Sequence, residues 1–141
     1  MATKSYFTIA ELCASNTAKK YNIDNTPDST IISHLQQLIN FLNPLREAWG
    51  SAIKVTSGYR CDKLNRFVGG SKTSSHLIGY GVDLVPANGK MNEFKSFIRD
   101  YMKMQVFDQC IIEKSGKTEW IHIGLYNAKG QQRKMIFNIT K

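Results

Sequence analysis

Two of the three histidines in this chain stand close to acidic residues. His76 falls in Ser74-Ser75-His76-Leu77-Ile78-Gly79-Tyr80-Gly81-Val82-Asp83, and His122 falls in Glu119-Trp120-Ile121-His122. Two imidazoles and a carboxylate, here His76, His122 and Asp83, supply three ligands for a tetrahedral zinc ion. An open fourth position marks such a site as catalytic rather than structural. Glu119 is near enough in sequence to act as general base toward a water there. Spacing alone leaves a second reading open. Six residues separate His76 from Asp83, unlike the i, i+4 helical pair of an H-E-x-x-H site. A surface histidine and a turn-capping aspartate have the same spacing. Gly79 and Gly81 favour convergence, because they permit a tight backbone path between the two side chains. Asp83 opens onto Leu84-Val85, and a carboxylate at that point needs a partner.

Other reactive side chains have plainer readings. His34 lies on a helical stripe and is read as a helix-surface histidine rather than a fourth ligand. Cys61 and Cys110 are read as buried thiols, and Trp49 as core. Trp120 is divided between the core and a substrate groove.

The elements that would carry these residues follow from periodicity. Thr8 and Glu11 have capping-box spacing, which starts a short helix, and Ser15 starts another single turn. Ile31, Leu35, Leu38, Leu42, Leu45 and Trp49 form one apolar helical stripe. Pro44 is expected to kink or divide that helix, and Gly50 to end it. Ile53–Ser57 alternates as a strand, Cys61–Val68 suits a short helix, and Tyr80–Val85 a strand stopped by Pro86. Met91, Phe94, Ile98 and Met102 mark a second amphipathic helix. Strands near Phe107–Glu113 and Trp120–Leu125 flank Lys114-Ser115-Gly116-Lys117, a hairpin turn. A last strand spans Lys134–Ile139. The pattern predicts an α+β fold, a single domain over residues 1–141 with helices flanking a small, mostly antiparallel sheet.

Composition bounds the function. The chain has 141 residues, 42% of them apolar, with 19 Lys and Arg against 11 Asp and Glu, a formal net charge of +8. That length is enough for a core without disulfides, and no apolar run reaches the length of a membrane span. The amino terminus lacks a signal-peptide pattern. Three cysteines without a C-x-x-C pair point to reduced thiols and synthesis in a cytoplasm. The basic balance suits an anionic partner, either nucleic acid or an anionic envelope polymer, or else serves solubility alone. Lys19-Lys20 and Arg133-Lys134 are the only adjacent basic pairs, which weakens the nucleic-acid reading.

The string S-x-H-x-x-G-x-x-x-D from Ser74 to Asp83, followed by Trp120-Ile121-His122, resembles the LAS-type zinc peptidases. These are the VanX/VanY-like D-alanyl-D-alanine carboxypeptidases and dipeptidases and the related phage endolysins, with a hedgehog-like fold. The resemblance extends over Phe7–Leu12, Asp24–Pro27, Leu45–Gly50, Val55–Arg60, Val68–Ser71 and Phe107–Gln109. It implies one Zn2+ held by His76, Asp83 and His122, with Glu119 as general base. Arg60 would bind substrate and stabilise the oxyanion, and Ser74 matches a serine beside the site; Trp120, from its own position, is a further candidate substrate contact. Glu113 is the rival base. If Trp120–Ile123 is a regular strand, Glu119 and His122 face opposite ways, and Glu119 serves only from a preceding loop.

The implied substrate is a peptidoglycan stem peptide, cut as a D,D-carboxypeptidase would or as an L-Ala-D-Glu or cross-link endopeptidase would. The implied protein is a monomer, phage-type and lytic, made in a bacterial cytoplasm and acting on the wall, with neither membrane insertion nor a nucleic-acid partner. Two alternatives are a catalytically inactive zinc-binding module of the same fold and a basic nucleic-acid-binding domain.

Overall fold

Capping side chains set the first three helices of the computed structural model, which describes residues 4–141. Met1–Thr3, part of the predicted domain and of the amino terminus read for a signal peptide, lie outside the described residues. Thr8 Oγ1 accepts from the Glu11 amide to start α1, Ile9–Cys13, and Ser15 Oγ from Ala18 to start α2, Asn16–Lys20. Asp28 does the same for Ile31 at the start of α3, Ser29–Trp49. Each such cap contributes about 1 kcal/mol. α3 runs unbroken through Pro44, where a kink or division was expected. Pro44 and Asn40 are both exposed, so the carbonyl that Pro44 leaves without a donor can turn to water.

The chain then builds β1, Ile53–Ser57; α4, Asp62–Phe67; a 3-10 turn, Ser75–Ile78; and β2, Gly81–Pro86. α5, Met91–Met102, precedes β3, Gln109–Ser115; β4, Thr118–Gly124; and β5, Met135–Thr140. Among the described residues the strands form one five-stranded sheet ordered β1-β2-β4-β3-β5. Every neighbouring pair is antiparallel except β3 and β5, which run parallel. The expected α+β class, with a mostly antiparallel sheet, is what the chain adopts.

Strand alternation divides this sheet into two unlike faces. Val82, Leu84, Cys110, Ile112, Ile121 and Ile123 point to one side, all nearly inaccessible to water. They pack with Leu35, Leu38, Leu42 and Leu45 of α3 and Phe94, Ile98 and Met102 of α5. Each fully buried Leu or Phe contributes about 1.5–3 kcal/mol, so the helical side holds the fold together. The intervening residues Asp83, Ile111, Glu113, Trp120 and His122 share the other face, which is free to carry chemistry. Among the described residues no helix is long and apolar enough to cross a membrane.

Two close backbone approaches shape that second face. A β-bulge in β1 places Ser57, rather than Thr56, opposite Asp83. The strand then leaves the sheet through Gly58, where a Cβ would stand 2.1 Å from the Leu12 carbonyl oxygen. Only glycine lets the chain pass so near. Tyr59 N–H donates to Leu12 O and Arg60 N–H to His76 O, tying this exit to α1 and to the 3-10 turn.

Candidate metal centre

His76 enters from the 3-10 turn, Asp83 from β2 and His122 from β4. Asp83 and His122 are directly paired in the antiparallel register of β2 and β4, so the sheet itself sets their separation. Asp83 Oδ1 stands 3.2 Å from His76 Nε2 and 3.0 Å from His122 Nδ1. One ligand atom from each of the three residues lies within 4.8 Å of the other two. A tetrahedral centre with bonds of about 2.0–2.1 Å separates its ligand atoms by roughly 3.3 Å. The donor set and the two Asp–His separations suit a metal ion, and the His–Asp–His group is positioned to bind one.

The outer nitrogen of each imidazole is also held. His76 Nδ1–H donates to the Gly58 carbonyl at 2.7 Å, which directs Nε2 at Asp83. His122 uses the opposite pair of atoms, with Nε2 3.3 Å from Ser75 Oγ and Nδ1 toward Asp83. Outer partners of this kind fix the tautomer and aim the ring. Burial acts to raise the Asp83 pKa, but the adjoining His122 and His76 side chains outweigh it and hold the carboxyl well below the ordinary carboxylate range.

Ser75 was not singled out from the sequence, although it adjoins His76 and is a buried polar side chain. Its place depends on Gly81, where a Cβ would lie 2.4 Å from Ser75 Oγ. Loss of an outer partner typically costs 10–100-fold in metal affinity. Ser75→Ala is accordingly expected to weaken metal binding by about 10-fold, the lower end of that range. Competition with a chromophoric chelator measures it, and an unchanged affinity would remove Ser75 from the centre.

Beside these three side chains lies a cleft of about 720 Å³ whose walls include Arg60, Ser74, Asp108, Glu113, Trp120 and Arg133. Arg60 donates from Nε to Asn65 Oδ1 at 3.1 Å and reaches Ser57 Oγ and Ser74 Oγ at 3.4 and 3.5 Å. Burial pulls its pKa down, while Asp83 and Glu113 push it back up. Ser74 also caps the 3-10 turn by accepting from the His76 amide. Trp120 Nε1–H donates to Glu113 Oε2 at 2.9 Å, so these two side chains stand together in the cleft.

Glu119 is placed elsewhere. The hairpin turn is shorter than the four residues expected, because Ser115 pairs with Thr118 across Gly116 and Lys117. β4 therefore begins at Thr118 and Glu119 lies inside it. Three positions from His122 in a strand, Glu119 faces the α5 side, where Lys95 Nζ lies 2.7 Å from its Oε2. That hydrogen bond holds its carboxyl below the ordinary range. The condition attached to Glu119, a place in a loop before the strand, is not met, and of the two candidate bases Glu113 is the one that lines the cleft.

The tempting alternatives stay outside the centre. His34 Nδ1–H donates to the Ile78 carbonyl, and its ring stacks on Tyr80, so it braces the end of the 3-10 turn. All three cysteines are free, and burial pushes the Cys110 thiol up to about 12.

The family model described as Peptidase M15 matches residues 5–124, which includes all three metal-facing residues, Arg60 and Glu113. No curated protein matches the chain.

Proposed function

The chain belongs to the peptidase M15 family, and from that membership we propose that it is a zinc-dependent peptidase that hydrolyses peptide bonds in peptidoglycan stem peptides. The observation that carries this reading is the convergence of His76, Asp83 and His122 beside a cleft that also holds Glu113 and Arg60. Two imidazoles and one carboxylate are a catalytic zinc set with room for a further ligand. Zinc bound there would supply Lewis acidity, polarising a carbonyl and making a water acidic near neutral pH.

The chain's own residues supply the rest. Glu113 takes the proton of the attacking water and returns it to the departing amine. Trp120 Nε1–H holds one Glu113 oxygen, Oε2, while Oε1, 3.7 Å from Lys141 Nζ and beyond hydrogen-bond distance of it, accepts the proton. Arg60, fixed by Asn65, Ser57 and Ser74, donates to the oxygen that gains charge as the carbonyl becomes tetrahedral. Its guanidinium is in place before reaction, which is what makes such donors effective. Trp120 offers an apolar wall to the peptide, and Ser74 keeps Arg60 in line. No covalent intermediate is required, so the cysteines take no part.

The +8 charge suits attraction to a polyanionic wall, as a phage-type lytic role would use. The test is incubation of the purified protein with defined muropeptides, with chelator and with added zinc, read by mass spectrometry. Cleavage at one bond type, abolished by chelator and restored by zinc, is expected. Intact muropeptides in the presence of zinc would overturn the reading.

A further inference from the structure

At one end of the cleft an arginine is braced by a buried carboxylate that the reaction does not use. Asp108 immediately precedes β3 and is only 2% exposed. Its Oδ1 accepts from Arg133 Nε at 2.8 Å, and its Oδ2 accepts from Nη2 at 2.9 Å. The Arg133 amide also donates to Oδ1, at 3.1 Å. This side-on pairing uses two of the five guanidinium N–H groups. The end-on edge, Nη1 with the second proton of Nη2, has no partner among the described residues. Arg133 lines the cleft with its side chain 43% exposed.

We propose that this free edge of Arg133 receives a carboxylate of the bound peptide, so that the site selects acidic peptides. Planar N–H pairs match a carboxylate bidentately, and a guanidinium already fixed by Asp108 loses little freedom on binding. Lys129 stands on the adjoining loop, lines the same cleft, and makes no ion pair among the described residues. It adds positive potential at this end. The opposite end carries Glu113, with Lys141 Nζ 3.7 Å from it, so the cleft has a direction.

Its length can be read from the sheet. Asp108 lies three positions before Ile111, the residue paired with His122. At about 3.4 Å per residue this is roughly 10 Å along the strand, the span of about three residues of extended peptide. The proposal rests on the peptidase reading for the identity of the ligand, but its test does not need turnover.

The probe is a tripeptide amide, L-Ala-γ-D-Glu-L-Lys-NH2, with the D-Glu α-carboxylate as its one carboxylate, compared with the same peptide amide carrying an α-carboxamide there. Both are titrated calorimetrically into the zinc-loaded full chain. Solvent screens an ion pair this exposed, so the carboxylate is expected to bind about 5-fold more tightly. Arg133→Gln should bring the carboxylate peptide to the affinity of the carboxamide and leave the carboxamide unchanged.

Equal binding of the two peptides by the unaltered protein would overturn the proposal, and that comparison does not depend on how the variant folds. So would a variant that weakens both peptides alike, the result expected if the Asp108–Arg133 pair only clasps β5. Discrimination without any cleavage would sustain the carboxylate site while sinking the peptidase reading. Cleavage without discrimination would do the reverse.

Discussion

Glu113→Gln is expected to lower kcat by about 10²–10⁴-fold, the usual contribution of a general base, while metal content stays at the level of the unaltered protein. Gln keeps the shape of Glu113 and can still accept from Trp120 Nε1, so the cleft is preserved and only the proton acceptor is lost. The companion variant is Glu119→Gln. Glu119 lies on the α5 face of the sheet, paired with Lys95, and takes no part in the cleft. Its loss is expected to leave kcat unchanged and to alter stability by at most about 1 kcal/mol, as for other partly exposed ion pairs. Rates on a defined muropeptide with both variants, alongside metal analysis, decide between the two carboxylates. Loss of activity in Glu119→Gln with full activity in Glu113→Gln would reverse the assignment.

Asp83→Asn has the second large effect expected. The neutral amide keeps one oxygen but removes the only negative charge among the three ligands. A lost outer partner costs about 10–100-fold in metal affinity; a lost charged ligand should cost more, with hydrolysis disappearing at ordinary metal concentrations. The metal-free protein should change as well. The Asp83 carboxyl is held well below its ordinary range by His122 and His76, against burial. A carboxyl whose pKa is depressed on folding contributes stability above its unfolded value of about 3.9, and that stability is lost as pH falls through the folded value. Urea denaturation of metal-free protein is therefore expected to show the Asn variant weaker near neutral pH. The two curves should approach each other in strong acid. A constant difference at every pH would show that Asp83 acts through shape rather than charge.

Much of the fold was legible because the signals were local. The Ile31–Trp49 stripe, the caps at Thr8 and Ser15, and the alternation of Ile53–Ser57 each depend on residues within a turn or two. The grouping of His76, Asp83 and His122 was legible for a different reason: few residue types bind metal, and the three stood in the order of a family the chain resembles. What stayed hidden depended on phase and on long-range contact. Moving the start of β4 back to Thr118 carries Glu119 into the strand and onto the α5 face, and the signal for so short a turn is the single residue Gly116, at its first central position with φ +60°. Ser75 and the Asp108–Arg133 pair become visible only when β4 and β5 are laid beside β3. Pro44 misled because its cost depends on whether the carbonyl it frees meets water, and exposure is a tertiary property.

The most direct test of the centre is anomalous diffraction at the zinc edge from crystals grown with zinc. One peak per chain is expected, within about 2.0–2.2 Å of His76 Nε2, His122 Nδ1 and a carboxylate oxygen of Asp83. No peak between these three side chains, or zinc held by other residues such as Cys61, would contradict the centre and the chemistry assigned to it.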